Sequence, residues 1–159
     1  MTQSQLDILI RPIAERHDLP VNLVTAIVKV ESNGNPWAIR YESAFFKRYV
    51  VPLPIIPIPP CSLDTERVMR ATSFGLMQLM GQVARELRFS GAFLSELCEP
   101  TVGLEYGCRH LAKLRDRHLE KWNWEGVAAA FNAGSPRRNT HGWVNQGYVD
   151  KVRAAGGLA

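Results

Sequence analysis

A mainly α fold is the class that the amino-acid sequence predicts, and three observations predict it. Aliphatic residues recur three and four positions apart in several stretches, which puts them on one face of a helix. Those stretches begin after Ser, Thr, Asp or Asn and end at Gly, Asn or Pro, the residues that start and stop helices. No run alternates apolar and polar residues for a useful length, nothing repeats at a fixed period, and the one biased tract is the proline-rich VVPLPIIPIPP. With 159 residues, 46% hydrophobic and 21% charged, the chain is long enough for a core of its own, and one domain over 1–159 with an insertion at about 41–61 is expected.

The elements follow in order. A first helix takes Ser4 as cap, carries Leu6, Leu9, Ile10 and Ile13 on one face, bends at Pro12 and ends near Asp18. The second takes Asp18 as its cap with Pro20 in the first turn, where a missing N–H costs nothing, and runs through Leu23, Val24, Ile27 and Val28 until Asn33-Gly34 and Pro36 stop it. From 37 to 60 no period holds and prolines break any ladder, so a long loop is expected. Ser62 caps LDTERVMRA. The stretch FGLMQLMGQVARELRF aligns Leu76, Leu79, Met80, Val83, Ala84 and Leu87 on one stripe and reads as a helix. Thr101 starts another through Leu104, Cys108, Leu111 and Leu114, and Asn123 precedes WEGVAAAFNAG, closed by Gly134 with Pro136 behind it. A last helix holds Tyr148, Val149 and Val152.

Composition excludes several function classes. The 19 Lys and Arg exceed the 15 Asp and Glu only mildly, and no basic stripe is interleaved with stacking aromatics, so a nucleic-acid partner is not expected. Arg137 and Arg138 read as a solvated pair. Nothing reaches the ~18 apolar residues of a membrane helix, so no stable membrane insertion is expected. The N-terminal MTQSQLDILIRPIAERHDLP lacks the basic start, apolar core and cleavage site of a secretory signal. Cys61, Cys98 and Cys108 are odd in number and lack C-x-x-C spacing, which reads as free thiols. His17, His110, His118 and His141 form no H-E-x-x-H, and neither a G-x-S-x-G elbow nor a phosphate-binding glycine loop occurs, so no metal and no cofactor is expected.

One residue stands out against this background. In IVKVESNGNP an aliphatic run finishes in Glu31, and Val24, Ile27, Val28 and Glu31 fall at i, i+3, i+4 and i+7, so the carboxyl points the way the buried stripe points. Partial burial disfavours its charged form, and the negative end of the helix dipole acts in the same direction, so both raise its pKa. A carboxyl that keeps its proton near neutral pH suits the protonation of a glycosidic oxygen, a poor leaving group otherwise. Periodicity alone leaves open a helix-end residue turned to water.

Four separated motifs occur in order: ESNGNPWA at 31–38, SFGLMQLM at 73–80, AAFNAG at 129–134 and GYVDKV at 147–152. In this order they make the chain resemble the soluble lytic transglycosylase family, peptidoglycan-cleaving enzymes with a lysozyme-like helical fold that are related to goose-type lysozymes. The likeness runs over about 23–152. It implies that Glu31 is the single catalytic acid/base and that Ser32 orients the sugar or supports the local turn. It implies further that Ser73, Met77 and Gln78 belong to the substrate cleft, with Leu76 in the core, that Asn132 bonds an N-acetyl group or hydroxyl, and that Tyr148 brings its hydroxyl near Glu31. Phe131 stands where the family usually has Tyr and keeps only a wall function.

The resemblance implies attack on the β-1,4 bond between N-acetylmuramic acid and N-acetylglucosamine in peptidoglycan glycan strands, with 1,6-anhydro-muramyl products, by a monomer without cofactor. If Glu42 of the longer-than-usual 31–75 interval returns to the cleft as a second carboxylate, a hydrolysing muramidase results instead; a salt bridge to Arg40 is its other reading. The same interval holds Asp64 and Glu66, and its proline run reads as an apolar loop laid on the domain, with a lid over the groove or a docking segment as alternatives. A domain that binds glycan without cutting it is the reading from another class. A wall enzyme made in the cytoplasm without a signal is expected to reach the cell wall or periplasm through a permeabilising holin partner, in a virion, or through a specialised secretion machine, which fits a bacteriophage or prophage endolysin.

Overall fold

Leu6, Ile10, Ile13 and Ala14 share the buried face of α1 (Gln3–Arg16), and Leu23, Val24, Ala26, Ile27 and Val28 are buried on α2 (Val21–Ser32). The computed structural model describes residues 1–158, and it is mainly helical, as that spacing requires. The cap of α1 is Thr2 and not Ser4: Thr2 accepts from the Gln5 backbone and Gln5 reaches back to the Thr2 N–H, a closed capping box, and Ser4 lies two residues further on, already inside the helix. Pro12 lies inside α1 without ending it. Asp18 is not the cap of α2 either; it takes a left-handed φ of 53° in the link, and Pro20 leads into the helix with no side-chain cap. Asn33, left-handed at φ 51°, closes α2 at the expected place.

The expected loop from 37 to 60 is only partly a loop. It holds β1 (Ile39–Tyr41), α3 (Ser43–Phe45) and a π-helical turn (Phe46–Val50), with irregular chain from 51 to 61. All three residues of β1 are exposed, so no alternation marks it. Ser62 caps α4 (Leu63–Arg70) as expected, its hydroxyl oxygen accepting from the Thr65 backbone.

The helix expected over FGLMQLMGQVARELRF is where the structure differs most. The chain forms β2 (Thr72–Phe74), turns, forms β3 (Leu79–Met80) and only then enters α5 (Gly81–Glu86). β2 pairs antiparallel with β1 and β3, Ser73 facing Arg40 on one side and Met80 on the other. The turn needs left-handed backbone at Gly75 (φ 72°) and Gln78 (φ 47°), which no helix accommodates. The apolar residues of the stretch divide between two clusters: Leu76 and Met77 enter the main core, while Phe74, Leu79 and Ala84 pack with Phe89, Leu94 and Leu97 around a 3-10 turn (Leu94–Cys98). A Cβ on Gly75 would stand 2.4 Å from the Leu97 carbonyl oxygen. Gly75→Ala is therefore expected to destabilise by at least about 2 kcal/mol, lowering the melting temperature by roughly 5 °C or more in a thermal melt.

The chain continues as α6 (Pro100–Ala133), a short hairpin of β4 (Arg138–Asn139) and β5 (Gly142–Trp143), and α7 (Gln146–Ala154). α6 is two helices joined at Asn123, whose φ 53° and ψ −172° are non-helical. Along a straight helix His110 and Phe131 would lie about 31 Å apart. Their ring centroids are 5.5 Å apart, so the chain doubles back at Asn123, the residue that opens the second helix in the sequence reading. α1, α2, both halves of α6 and α7 surround the main core, which includes Leu104, Leu111, Val127 and Val149. Cys61, Cys98 and Cys108 are buried free thiols. No described helix is long and apolar enough to cross a membrane.

Candidate active site

A groove of about 640 Å³ is bounded by the end of α2, the small sheet with α5, and the two halves of α6. Glu31, Glu42, Ser73, Gln78, Phe131 and Asn132 all line it, so the structure brings together six residues from four separated stretches of sequence. The doubling back of α6 makes this possible, because it returns Phe131 and Asn132 to the helix face that carries His110.

Glu31 is in the last turn of α2, where the aliphatic stripe gives way to the groove. Burial raises its pKa above the ordinary 4.5, and this outweighs two opposing influences, the Tyr148 hydroxyl and the positive charge of Arg40. Tyr148 stands behind Glu31 and away from the groove lining. Its hydroxyl oxygen is buried without a well-formed hydrogen bond, so the contact with Glu31 favours the carboxylate but lacks the alignment of a full bond. Burial and the Glu31 charge together push the Tyr148 hydroxyl far above its usual range, so it remains a proton donor.

The neighbouring motif residues divide into groove and scaffold. The Ser32 hydroxyl lies close to the carbonyls of Leu76 at 2.8 Å and Val28 at 3.1 Å, which ties α2 to the β2–β3 turn. Of its two readings, support of the turn is the one its bonds serve. Met77 does not line the groove: it is fully buried, and a Cβ on Gly107 would come within 2.4 Å of its sulfur, so close packing against α6 takes it into the core. The Gln78 side chain lines the groove but is fully engaged, donating to Ala38 and Gly75 carbonyls at 2.8 and 3.1 Å and accepting from Ser73 at 2.9 Å. Ser73 and Gln78 thus hold the hairpin in shape.

Asn132 is held from the side: the Asn145 amide donates to its Oδ1 at 3.0 Å and to the Ala129 carbonyl at 3.0 Å. Asn132 lines the groove, and among the described residues its NH₂ makes no hydrogen bond, so it is open to donate. Phe131 packs its ring against His110 and forms part of the wall. Glu42 lines the groove and forms the expected salt bridge, Arg40 Nε lying 2.5 Å from its Oε1. From the insertion, Phe45 and Tyr49, ring centroids 4.9 Å apart, add an aromatic rim, whereas Ile56 in the proline run is 87% exposed and lies outside the lining.

Several lining residues escape the sequence reading: Arg40, Phe45, Tyr49, His110, Lys113 and Arg117. For the last three a signal exists, since 110, 113, 114 and 117 fall on one helix face and three of the four are polar. Burial, then the charges of Lys113 and Arg117, lower the His110 pKa to about 4, so its imidazole is neutral at physiological pH. Among the described residues no cluster of His, Cys, Asp and Glu has the arrangement of a metal site.

The family model described as the transglycosylase SLT domain matches residues 8–150. Among curated proteins, the chain is similar to the membrane-bound lytic murein transglycosylase C of Haemophilus ducreyi, with 26% identity over 132 residues. That match covers 80% of this chain and 30% of the relative, so the chain spans less than a third of that protein's length.

Proposed function

The chain belongs to the transglycosylase SLT domain family, and on that premise we propose that it is a peptidoglycan lytic transglycosylase with Glu31 as its one acid/base. The observation that carries this reading is the carboxyl itself, held above its ordinary pKa by burial in the wall of the groove. Such a group keeps its proton to higher pH than an ordinary glutamate does, which is what a general acid requires.

In the proposed reaction Glu31 gives its proton to the oxygen of the β-1,4 bond between N-acetylmuramic acid and N-acetylglucosamine as that oxygen leaves C1. Positive charge develops on C1 and the ring oxygen. The muramyl C6 hydroxyl then bonds C1 through its oxygen, its proton passes to the Glu31 carboxylate, and the enzyme is restored as a 1,6-anhydro end forms. Because the substrate supplies the nucleophile, one protein carboxyl is sufficient, where hydrolysing glycosidases use two. Asn132 would donate its amide to an N-acetyl carbonyl, and Phe131 would offer its ring to the apolar face of a sugar. Ser32, Ser73 and Gln78 serve by fixing the loop beside Glu31.

A second reading rests on Glu42, which lines the same groove and could activate water. Its close pairing with Arg40 favours a carboxylate neutralised by its neighbour over a free base. Mass spectrometry of muropeptides released from purified walls separates the two, since anhydro ends are one water lighter than reducing ends. Anhydro ends, retained in Glu42→Gln, are expected; reducing ends that vanish in Glu42→Gln would establish the hydrolase.

The pH profile provides a further check. The Tyr148 hydroxyl favours the Glu31 carboxylate, so Tyr148→Phe removes an influence that lowers the Glu31 pKa. The acid then stays protonated to higher pH, and the alkaline limb of kcat/KM is expected to move upward. An unmoved or downward-shifted limb would remove Tyr148 from the tuning of Glu31.

A further inference from the structure

One wall of the groove carries charge that the proposed reaction does not use. His110, Lys113, Leu114 and Arg117 stand at i, i+3, i+4 and i+7 on α6, and all four line the groove. Among the described residues neither Lys113 nor Arg117 has an ion-pair partner or a side-chain hydrogen bond. Their neighbours differ: Arg40 in the same groove is paired with Glu42, and Arg115 on another face of α6 is bound by Asp116 and the His17 carbonyl. Glu86 of α5 faces the pair across the groove, but it accepts from Gln82 and lies beyond ion-pair distance of both. Glu31, the groove's remaining carboxyl, also lies beyond ion-pair distance of both cations. His110, one turn before Lys113, is neutral, since burial and the two cations disfavour its charged form. The wall therefore presents two unmatched positive charges one helical turn apart, a spacing at which like charges repel.

The sugars of an N-acetylated glycan are neutral and offer these cations no counter-ion. The negative charges that such a strand carries into a groove are carboxylates, either on the peptide stem attached to the muramyl lactyl group or on the lactyl group itself where the stem has been removed. Resting on the glycan-cleaving reading above, we propose that Lys113 and Arg117 form a carboxylate-reading pair that selects strands by the acidic group borne at the muramyl lactyl position. A charge-assisted bond from either cation would place the muramyl ring in register with Glu31 and leave the bond-breaking step to that residue.

The test compares the wild-type chain with the double variant Lys113→Gln/Arg117→Gln on stem-bearing walls, on walls stripped of stems by an amidase, and on a neutral chitooligosaccharide. On stem-bearing walls the variant is expected to show KM raised about tenfold with kcat nearly unchanged, because the lost contacts act in ground state and transition state alike. Its salt dependence should flatten as well. Binding of the chitooligosaccharide should be unchanged, and the swapped pair Lys113→Arg/Arg117→Lys should restore KM. If the stem carboxylates are the ligand, the wild type loses its advantage over the variant on stripped walls; an advantage that persists there, or appears only there, marks the lactyl carboxylate that the amidase frees from its amide. A variant with wild-type KM on both walls overturns the proposal, and so does an equal loss on the neutral oligomer, which marks a structural effect. Neither result touches the reading of Glu31, which stands or falls on whether the wild type cleaves walls and Glu31→Gln does not.

Discussion

Glu31→Gln is expected to lower the release of soluble muropeptides from purified walls by at least about a thousandfold, the scale on which a positioned general acid contributes. The amide keeps the size of the carboxyl and cannot give a proton to a leaving oxygen, so wall binding should survive. The same substitution is expected to stabilise the fold at neutral pH. The folded chain binds the Glu31 proton more tightly than the unfolded chain, whose carboxyl titrates at its ordinary 4.5. As pH rises from there through the raised folded value, the unfolded state gives up its proton first and stability falls. Glutamine has no such proton. The melting temperatures of wild type and variant should therefore converge below about pH 4.5 and separate above it. Retained cleavage in the variant would show that another group supplies the proton and would favour a non-catalytic role for Glu31.

Glu66→Gln is expected to be the most destabilising of these substitutions while leaving the groove chemistry untouched. Glu66 is fully buried on α4, where one carboxylate oxygen takes 2.8 Å bonds from both Arg70 Nε and Arg85 Nε and the other takes a 2.9 Å bond from Arg85 Nη2. Arg85 in turn donates to the carbonyls of Phe89 and Gly91 at 2.8 and 2.7 Å, so one ion cluster ties α4, α5 and the following loop together. Removing the negative partner leaves the buried Arg85 guanidinium and the partly buried Arg70 without their counter-charge, a change that costs about 3–5 kcal/mol in comparable sites and about 10 °C in melting temperature. An exposed pair such as Arg11–Glu15, 3.7 Å apart with both side chains at least 60% exposed, should cost less than about 1 kcal/mol when broken. The sign with pH is opposite to that of Glu31. Burial pushes the Glu66 carboxyl up, but the bonds and charges of Arg85 and Arg70 outweigh it and hold it below 4.5. Its stabilisation is present above pH 4.5 and is lost as pH falls through the depressed value, so acid should destabilise the wild type more steeply than the variant. Equal stability of the two proteins at pH 7 would contradict the role given to the cluster.

The helical frame is legible in the sequence because α1, α2, α6 and α7 bury one stripe each, and a stripe buried against other helices keeps the 3.6-residue period. The 73–80 stretch has the same period and a different structure. Its strands exist through pairing with Ile39–Tyr41, more than thirty residues earlier, and through left-handed backbone at Gly75 and Gln78, neither of which local spacing records. Glu66 is legible as a carboxylate but not as a buried one, since its partner Arg85 lies nineteen residues on in another helix. In the groove, helix phase singles out Glu31 but leaves open a residue turned to water, and the motif resemblance supplies its expected role together with Phe131 and Asn132. Met77 followed its motif into the wrong environment, because a motif does not distinguish a side chain facing the groove from one facing Gly107. Lys113 and Arg117 lie in no motif; their shared face with His110 is legible, and Asn123 is legible as a helix start, but the angle at which α6 doubles back there, and so the groove this face borders, is not.

The direct measurement is a carbon-13 NMR titration of the Glu31 side-chain carboxyl in the free, wild-type protein. A midpoint displaced above 4.5, moving further upward in Tyr148→Phe, is the expected result. A midpoint at or below 4.5 would mean that the group is ionised at neutral pH like a solvated glutamate, with no proton to give to a glycosidic oxygen.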